Sequence, residues 1–311
     1  MKNILVPTDF SPESRYALQA AVQLAQRTGG SVTLLHAIEL PETADFSTYG
    51  GPVEGTDIPN GHRSTIDDVF VVQLLAATKR RMHGLVEEAS RLAPGVPVQE
   101  IIQANRLGTA ITQVVKSRSI DLVAMGAQGH TAAEHFFYGS NTERLVRTAP
   151  VPVLAVKHPV GAFDVQTVVF PSNFSAEADY AAPELRRLLA TFSGAVLHLL
   201  TVVASAAQQE PARQRMAAFA QRHQLGDGYR AAAVVAASPS AGIPVYAQEI
   251  KADLIVLPTH GRTGLSRFLQ ASIAEKVATQ AFPPVLTFQL PAGAEARRQP
   301  TSPGAAVLRN A

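Results

Sequence analysis

Short apolar runs and amphipathic stretches alternate along the whole chain. Asn3–Pro7 is an apolar run of strand length. Ser11-Pro12 follows as a helix N-cap with a first-turn proline. Leu18, Ala21, Val22 and Ala25 then recur at helical spacing until Gly29-Gly30 stops the helix. Val32–Ile38 predicts a second strand, Thr65–Leu92 a long helix and Val98–Gln103 a third strand. Thr109–Lys116 lies in the next helix, Leu122–Met125 is strand four, Ser140 opens a further helix, and Val151–Val156 is strand five. The second half repeats the series. Strands are predicted over 165–170, 195–203, 229–237, 254–257 and 285–289, with helices over 175–191, 211–223, 240–250 and 272–280. Apolar strands alternating with helices predict an α/β fold with a parallel sheet covered on both faces. Residues 41–64 read as a loop and 291–311 as a disordered tail.

The repetition extends to residue level. Residues 121–143 read DLVAMGAQGHTAAEHFFYGSNTE and residues 253–275 read DLIVLPTHGRTGLSRFLQASIAE. The first segment spaces Gly126, Gly129 and Gly139-Ser140 as G-x2-G-x9-G-S. A strand, then glycines, then a capped helix is how a parallel α/β fold builds an anion site from backbone N–H groups. The second segment keeps Gly261 and Ser272 but has Pro258 for Gly126 and Ala271 for Gly139. Asp9-Phe10-Ser11 aligns with Asn173-Phe174-Ser175, and Leu35 with Leu199, both at an offset of 164. Asp121 and Asp253, Ser140 and Ser272, and Val153 and Val285 match at 132. Two tandem domains are therefore expected, at 1–158 and 163–290, the first carrying the 41–64 insertion.

Composition narrows the classes. Apolar residues make up 46% and charged residues 17% of 311, enough apolar material for two cores. The net charge of +2 gives no argument for nucleic acid or membrane as partner. The absence of cysteine excludes disulfides, thiolate catalysis and Cys–metal sites. No apolar run reaches the roughly 18 residues of a membrane span. The opening MKNILVPTDFSPES reads as a strand and a helix start rather than a signal peptide, so a cytoplasmic protein is expected.

Three motifs in order resemble the universal stress protein family. They are Val6–Ser11 (VPTDFS), Met125–Ser140 (M-G-x2-G-x9-G-S) and Ala149–Val156 (APVPVLAV), with a second copy in register. The resemblance implies two tandem five-stranded α/β sandwiches of strand order 3-2-1-4-5. It implies ATP or another adenine nucleotide as ligand, with magnesium as its companion ion. It also implies pairing of domains along their fifth strands, within one chain or between chains of a homodimer. Carried onto this sequence, it places Pro7, Thr8 and Asp9 at the adenosine side and Ala37 beside the adenine. Met125, Gly126 and Gly129 would wrap the ribose and phosphates, followed by His130. Gly139, Ser140 and Asn141 would meet the phosphates. The site falls in the first domain only, consistent with the rule that open α/β sheets bind ligands where strand order reverses.

Plain structural roles compete at several positions. Asp9 also suits a turn aspartate before the Ser11 cap. Ser140-x-x-Glu143 and Ser272-x-x-Glu275 are capping boxes, which account for both serines without a ligand. His36 and His198 read as core or loop residues. The histidines show no metal-ligand spacing. The basic residue usual after the second loop glycine is present as Arg262 but is His130 in the first copy, which weakens the case for firm triphosphate binding. No hydrolase elbow or P-loop occurs. The expectation is a regulatory nucleotide-binding protein. The alternatives are a slow ATPase or phosphotransferase using the same loop, and a ligand-free scaffold. Residues 41–64, following strand two directly, are expected near the site.

Overall fold

The protein is described by a computed structural model over residues 1–38, 65–127, 140–226, 228–259 and 271–290, without the side chains of 65–71, 140, 141, 271 and 272. The 41–64 insertion, most of both glycine loops and the 291–311 tail lie outside the described residues.

In the first half, β1 (Asn3–Pro7), β2 (Ser31–Ala37), β3 (Val98–Gln103), β4 (Leu122–Gly126) and β5 (Val153–Val156) alternate with helices. These are α1 (Pro12–Thr28), α2 (Thr65–Leu92), α3 (Leu107–Ser117) and α4 (Ser140–Thr148). The second half has β6 (Thr167–Pro171), β7 (Val196–Val203), β8 (Tyr229–Val235), β9 (Leu254–Thr259) and β10 (Val285–Gln289). Its α-helices are α5 (Ala182–Thr191), α6 (Gln209–Arg222), α7 (Pro239–Glu249) and α8 (Ala271–Gln280). A 3₁₀ segment, Ala176–Ala181, precedes α5.

The strands form one ten-stranded sheet in the order β3-β2-β1-β4-β5-β10-β9-β6-β7-β8. Each half reads 3-2-1-4-5 from its outer edge inward. Pairing is parallel throughout except where β5 meets β10. There Val153, Leu154 and Ala155 lie antiparallel to Thr287, Leu286 and Val285. Alternation along the strands feeds two apolar layers that run across both halves. Ile4, Val6, Leu122, Leu154, Phe170 and Leu286 face one layer. Leu5, Val123, Val153, Ile255 and Val285 face the other.

Two details depart from the sequence reading. Pro7 pairs with Leu35 while Pro171 pairs with Leu200, so the structural counterpart of Leu35 is Leu200 and not Leu199. The predicted helix 175–191 is divided before Ala182. Pro183 has no N–H to bond Asp179, and its ring disfavours helical geometry just upstream, so the first turns tighten to 3₁₀.

Side chains fasten the two halves. Gln23 on α1 donates to the Gly161 carbonyl at 2.9 Å and accepts from the Phe163 amide at 2.7 Å. Arg27 pairs with Asp164 at 2.6 Å. Across the β5–β10 junction α4 packs on α8. Lys157 Nζ donates to the Thr279 carbonyl at 2.6 Å, and Gln289 donates to the Arg147 carbonyl at 3.2 Å. Leu154 and Leu286, opposite one another at the centre of the junction, are both 2% exposed. Leu154→Ala is therefore expected to cost about 2–4 kcal/mol, read as a lower urea midpoint by circular dichroism.

Glu275 in this contact is half-buried. Burial raises its pKa above the ordinary carboxylate value, Arg147 at 3.7 Å opposes the rise, and Glu143 adds to it. The folded form thus holds the proton more tightly than the unfolded form. Glu275 costs stability above its folded pKa, and the cost vanishes as pH falls through its unfolded value. Glu275→Gln is expected to raise the melting temperature by about 1–3 °C near pH 7 and to leave it unchanged near pH 3.

Candidate functional site

Strand order reverses between β1 and β4, the place where open α/β sheets bind ligands beyond the carboxyl ends of their strands. The Thr8 amide donates to the Leu35 carbonyl at 2.8 Å, continuing the β1–β2 ladder one residue past β1. The chain then turns sharply. The Thr8 hydroxyl accepts the Phe10 amide at 3.0 Å and lies 3.0 Å from the Ser14 hydroxyl. Asp9 Oδ1 accepts the Ser11 amide at 3.0 Å and also the Ser11 hydroxyl. Ser11 Oγ in turn accepts the Ser14 amide at 3.2 Å and caps α1.

The turn puts Phe10 at φ 68°, the left-handed region, where a residue with a Cβ loses about 1–2 kcal/mol. Two groups outside the turn hold it. His36 on β2 lies with Nδ1 2.7 Å from the Thr8 carbonyl, so that nitrogen carries the proton. Its ring centroid is 4.6 Å from that of Phe10. Arg81 on α2 lies over the Phe10 ring, its guanidinium carbon 3.9 Å from the centroid.

Asp9 is exposed, and both hydrogen bonds it accepts from Ser11 fall on Oδ1. Partial burial pushes its pKa upward, but the hydrogen bonds from the Ser11 hydroxyl and amide outweigh that and hold it below the usual value. Asp9 is therefore an anion at neutral pH with one oxygen committed to the turn.

Gly126 ends β4 against the first turn of α1. A Cβ there would lie 2.5 Å from the Glu13 carbonyl carbon and 2.6 Å from the Ser14 nitrogen. Close helix packing alone thus accounts for this glycine. Thr142 in the first turn of α4 donates to the Gly126 carbonyl at 3.3 Å, tying α4 to the end of β4. Met125 is 9% exposed and Ala37 half-buried at the ends of β4 and β2. Of the residues singled out in the sequence, Pro7, Thr8, Asp9, Ala37, Met125 and Gly126 thus fall at neighbouring strand ends. Gly129, His130 and Gly139 lie outside the described residues. Ser140 and Asn141 open α4, their side chains outside that description. A cavity of about 330 Å³ between α3 and α4 is lined by none of these residues; Leu107, Ile111, Arg144 and Leu145 contribute to its wall.

The second half builds the same turn. The Ser172 hydroxyl accepts the Phe174 amide at 3.1 Å, Asn173 Oδ1 accepts the Ser175 amide at 3.1 Å, and Phe174 has φ 52°. Thr201 donates to the Ser172 carbonyl at 2.9 Å, in the place of His36. The segment equivalent to the first turns of α1 is 3₁₀, and Pro258 stands where Gly126 packs.

An open parallel sheet with a capped turn at its switch point defines a doubly wound α/β protein with a ligand-binding topology. The chain belongs to the universal stress protein family, whose sequence profile matches residues 1–157 and again 165–289. It is similar to two universal stress proteins of Methanocaldococcus jannaschii. One is 28% identical over 159 residues, 50% of this chain and 94% of the relative. The other is 27% identical over 164 residues, 51% and 83%. A solved universal stress protein of Archaeoglobus fulgidus covers 92% of this chain and 98% of its own with a TM-score of 0.66. At 20% identity that likeness speaks for the fold alone.

His36 and Arg81 were not singled out as site residues from the sequence. The signal for His36 was its place beside Ala37. For Arg81 there was none, because its partner lies 71 positions away. The glycine contacts give a direct test. Gly126→Ala is expected to cost about 1–3 kcal/mol from overpacking against α1. Gly84→Ala in α2, where a Cβ meets nothing within 4 Å, is expected to be neutral or to stabilise by up to about 1 kcal/mol. Urea denaturation of both variants checks the pair.

Proposed function

We propose that the first domain binds one adenine nucleotide, ATP or a lower phosphate, and that the protein acts as a regulatory binding module. The observation that carries this reading is Asp9: ionised, exposed and held by the turn at the switch point, with both Ser11 bonds on Oδ1. A carboxylate oxygen accepts hydrogen bonds only, and ribose hydroxyls and an adenine amino group are donors that suit it. Pro7, Thr8, Ala37 and Met125 form the floor beside it. The glycine loop, with Gly129, His130, Gly139, Ser140 and Asn141, supplies the phosphate side on sequence grounds. Among the described residues no group of three His, Cys, Asp or Glu could hold a metal ion. Magnesium would thus enter with the phosphates.

The second domain keeps the turn but replaces the anion by Asn173 and the packed glycine by Pro258. We read it as the non-binding member of an intrachain pair joined through β5 and β10. No helix among the described residues is long and apolar enough to cross a membrane.

Asp9→Asn separates fold from ligand, because Asn173 already builds this turn with an amide. Titration calorimetry with ATP, ADP and AMP is expected to show one site per chain. Loss of a charged hydrogen bond, worth about 1.5–3 kcal/mol, should weaken binding by about ten- to a hundredfold in Asp9→Asn with the melting temperature little changed. Two equivalent sites, no binding, or an unaffected variant would each overturn the reading.

A further inference from the structure

An arginine grips the strand-one turn in both halves of the chain, by two different contacts. Arg81-Met82 on α2 and Arg215-Met216 on α6 occupy matching places. Both methionines are fully buried in the same apolar layer, and both arginines are exposed. Arg215 donates from Nε to the carbonyl of Asn173 at 3.1 Å. Arg81 lies over the ring of Phe10, 3.9 Å from its centroid, and makes no hydrogen bond or ion pair with the described residues. The target is the same three-residue turn each time, with its phenylalanine in the left-handed region.

The surroundings differ. Phe174 is 2% exposed and packed among aromatic rings, with Phe219 at 5.2 Å and Phe170 at 5.9 Å. Its conformation is fixed by the core. Phe10 is only half-buried at the margin of the same apolar layer, and among the described residues its ring also meets His36 on one β-strand and Arg81 on one helix. The first turn is therefore less enclosed by the core than the second, and its arginine meets the ring itself rather than a backbone carbonyl.

We infer that Arg81 is a positioning residue for the candidate nucleotide site: by clamping the Phe10 ring it holds the left-handed turn that presents Asp9. The inference rests on the nucleotide reading above for its functional meaning. If Phe10 relaxes to an ordinary conformation, the Ser11 amide no longer faces Asp9 Oδ1 and the carboxylate loses its fixed direction. A cation over a partly exposed ring shifts such an equilibrium by about two- to fivefold.

The test uses the full chain and two readouts. Amide hydrogen exchange at Phe10 and Ser11, whose N–H groups bond within the turn, reports the clamp without any nucleotide. Calorimetry with ATP reports the site. Arg81→Ala is expected to lower protection at both amides by about two- to fivefold, and ATP affinity by a similar factor, with the melting temperature unchanged. Arg81→Lys should restore part of each. In a Phe10→Leu background Arg81→Ala should add nothing further. Arg215→Ala should leave ATP affinity as it is. Unaltered protection at Phe10 and Ser11 in Arg81→Ala overturns the inference. So does a loss of affinity without a loss of protection, which would make Arg81 a direct ligand contact. If the unaltered protein binds no adenine nucleotide, the nucleotide reading fails while the exchange data still decide the clamp.

Discussion

A strand of sequence Val-Leu-Ala-Val, buried on both faces, cannot be left at the rim of a sheet. Its unpaired N–H and C=O groups would lie beside apolar side chains, an arrangement that invites association. The pairing of β5 with β10 removes that edge from both halves at once. Much of the architecture follows. The two apolar layers become continuous across the junction, α4 is brought against α8, and Glu275 is drawn partly out of water beside Arg147. The remaining edges, β3 and β8, lie at the far ends of the sheet.

On the proposed reading, structural and ligand roles are divided between the two oxygens of one carboxylate. Oδ1 of Asp9 makes the turn, as Oδ1 of Asn173 does in the second half. Only the other oxygen, and the negative charge, distinguish the two copies at this position. The turn's backbone strain at Phe10 and Phe174 is tolerated because several bonds converge on three residues. The glycine at the end of β4 has a comparable double character. It lies where the family's nucleotide contact is expected, and it is also the one residue type that lets α1 approach β4 at this distance.

Most of the fold was legible because apolar periodicity is local, and the duplication let each half check the other. The strand order came from the motif resemblance, since periodicity says nothing of lateral neighbours. The misplaced partner of Leu35 reflects one extra residue between β6 and β7, invisible where both strands run Leu-Leu at the shifted position. The break before α5 was written in Pro183, whose missing donor matters more than the apolar spacing around it. At the site, Thr8, Asp9 and Gly126 were recognisable from short motifs. His36 offered only its place beside Ala37, and Arg81 nothing, because a stacking partner brought in by a distant helix leaves no short-range pattern. Gly126 was recognised for its motif rather than for its contact with α1, which only the packed helix reveals.

The segment joining the halves has a consequence of its own. Gln23 and Arg27 pin residues 161–164 along α1, so the link between β5 and β6 is short and fastened rather than slack. Two separate chains meeting along such strands would part on dilution, and their pairing would depend on how much of each was made. Here the partner is always present at an effective concentration set by the tether, in the millimolar range or above. The partnership is therefore indifferent to abundance, and one half is free to change its surface chemistry without first having to find a new mate.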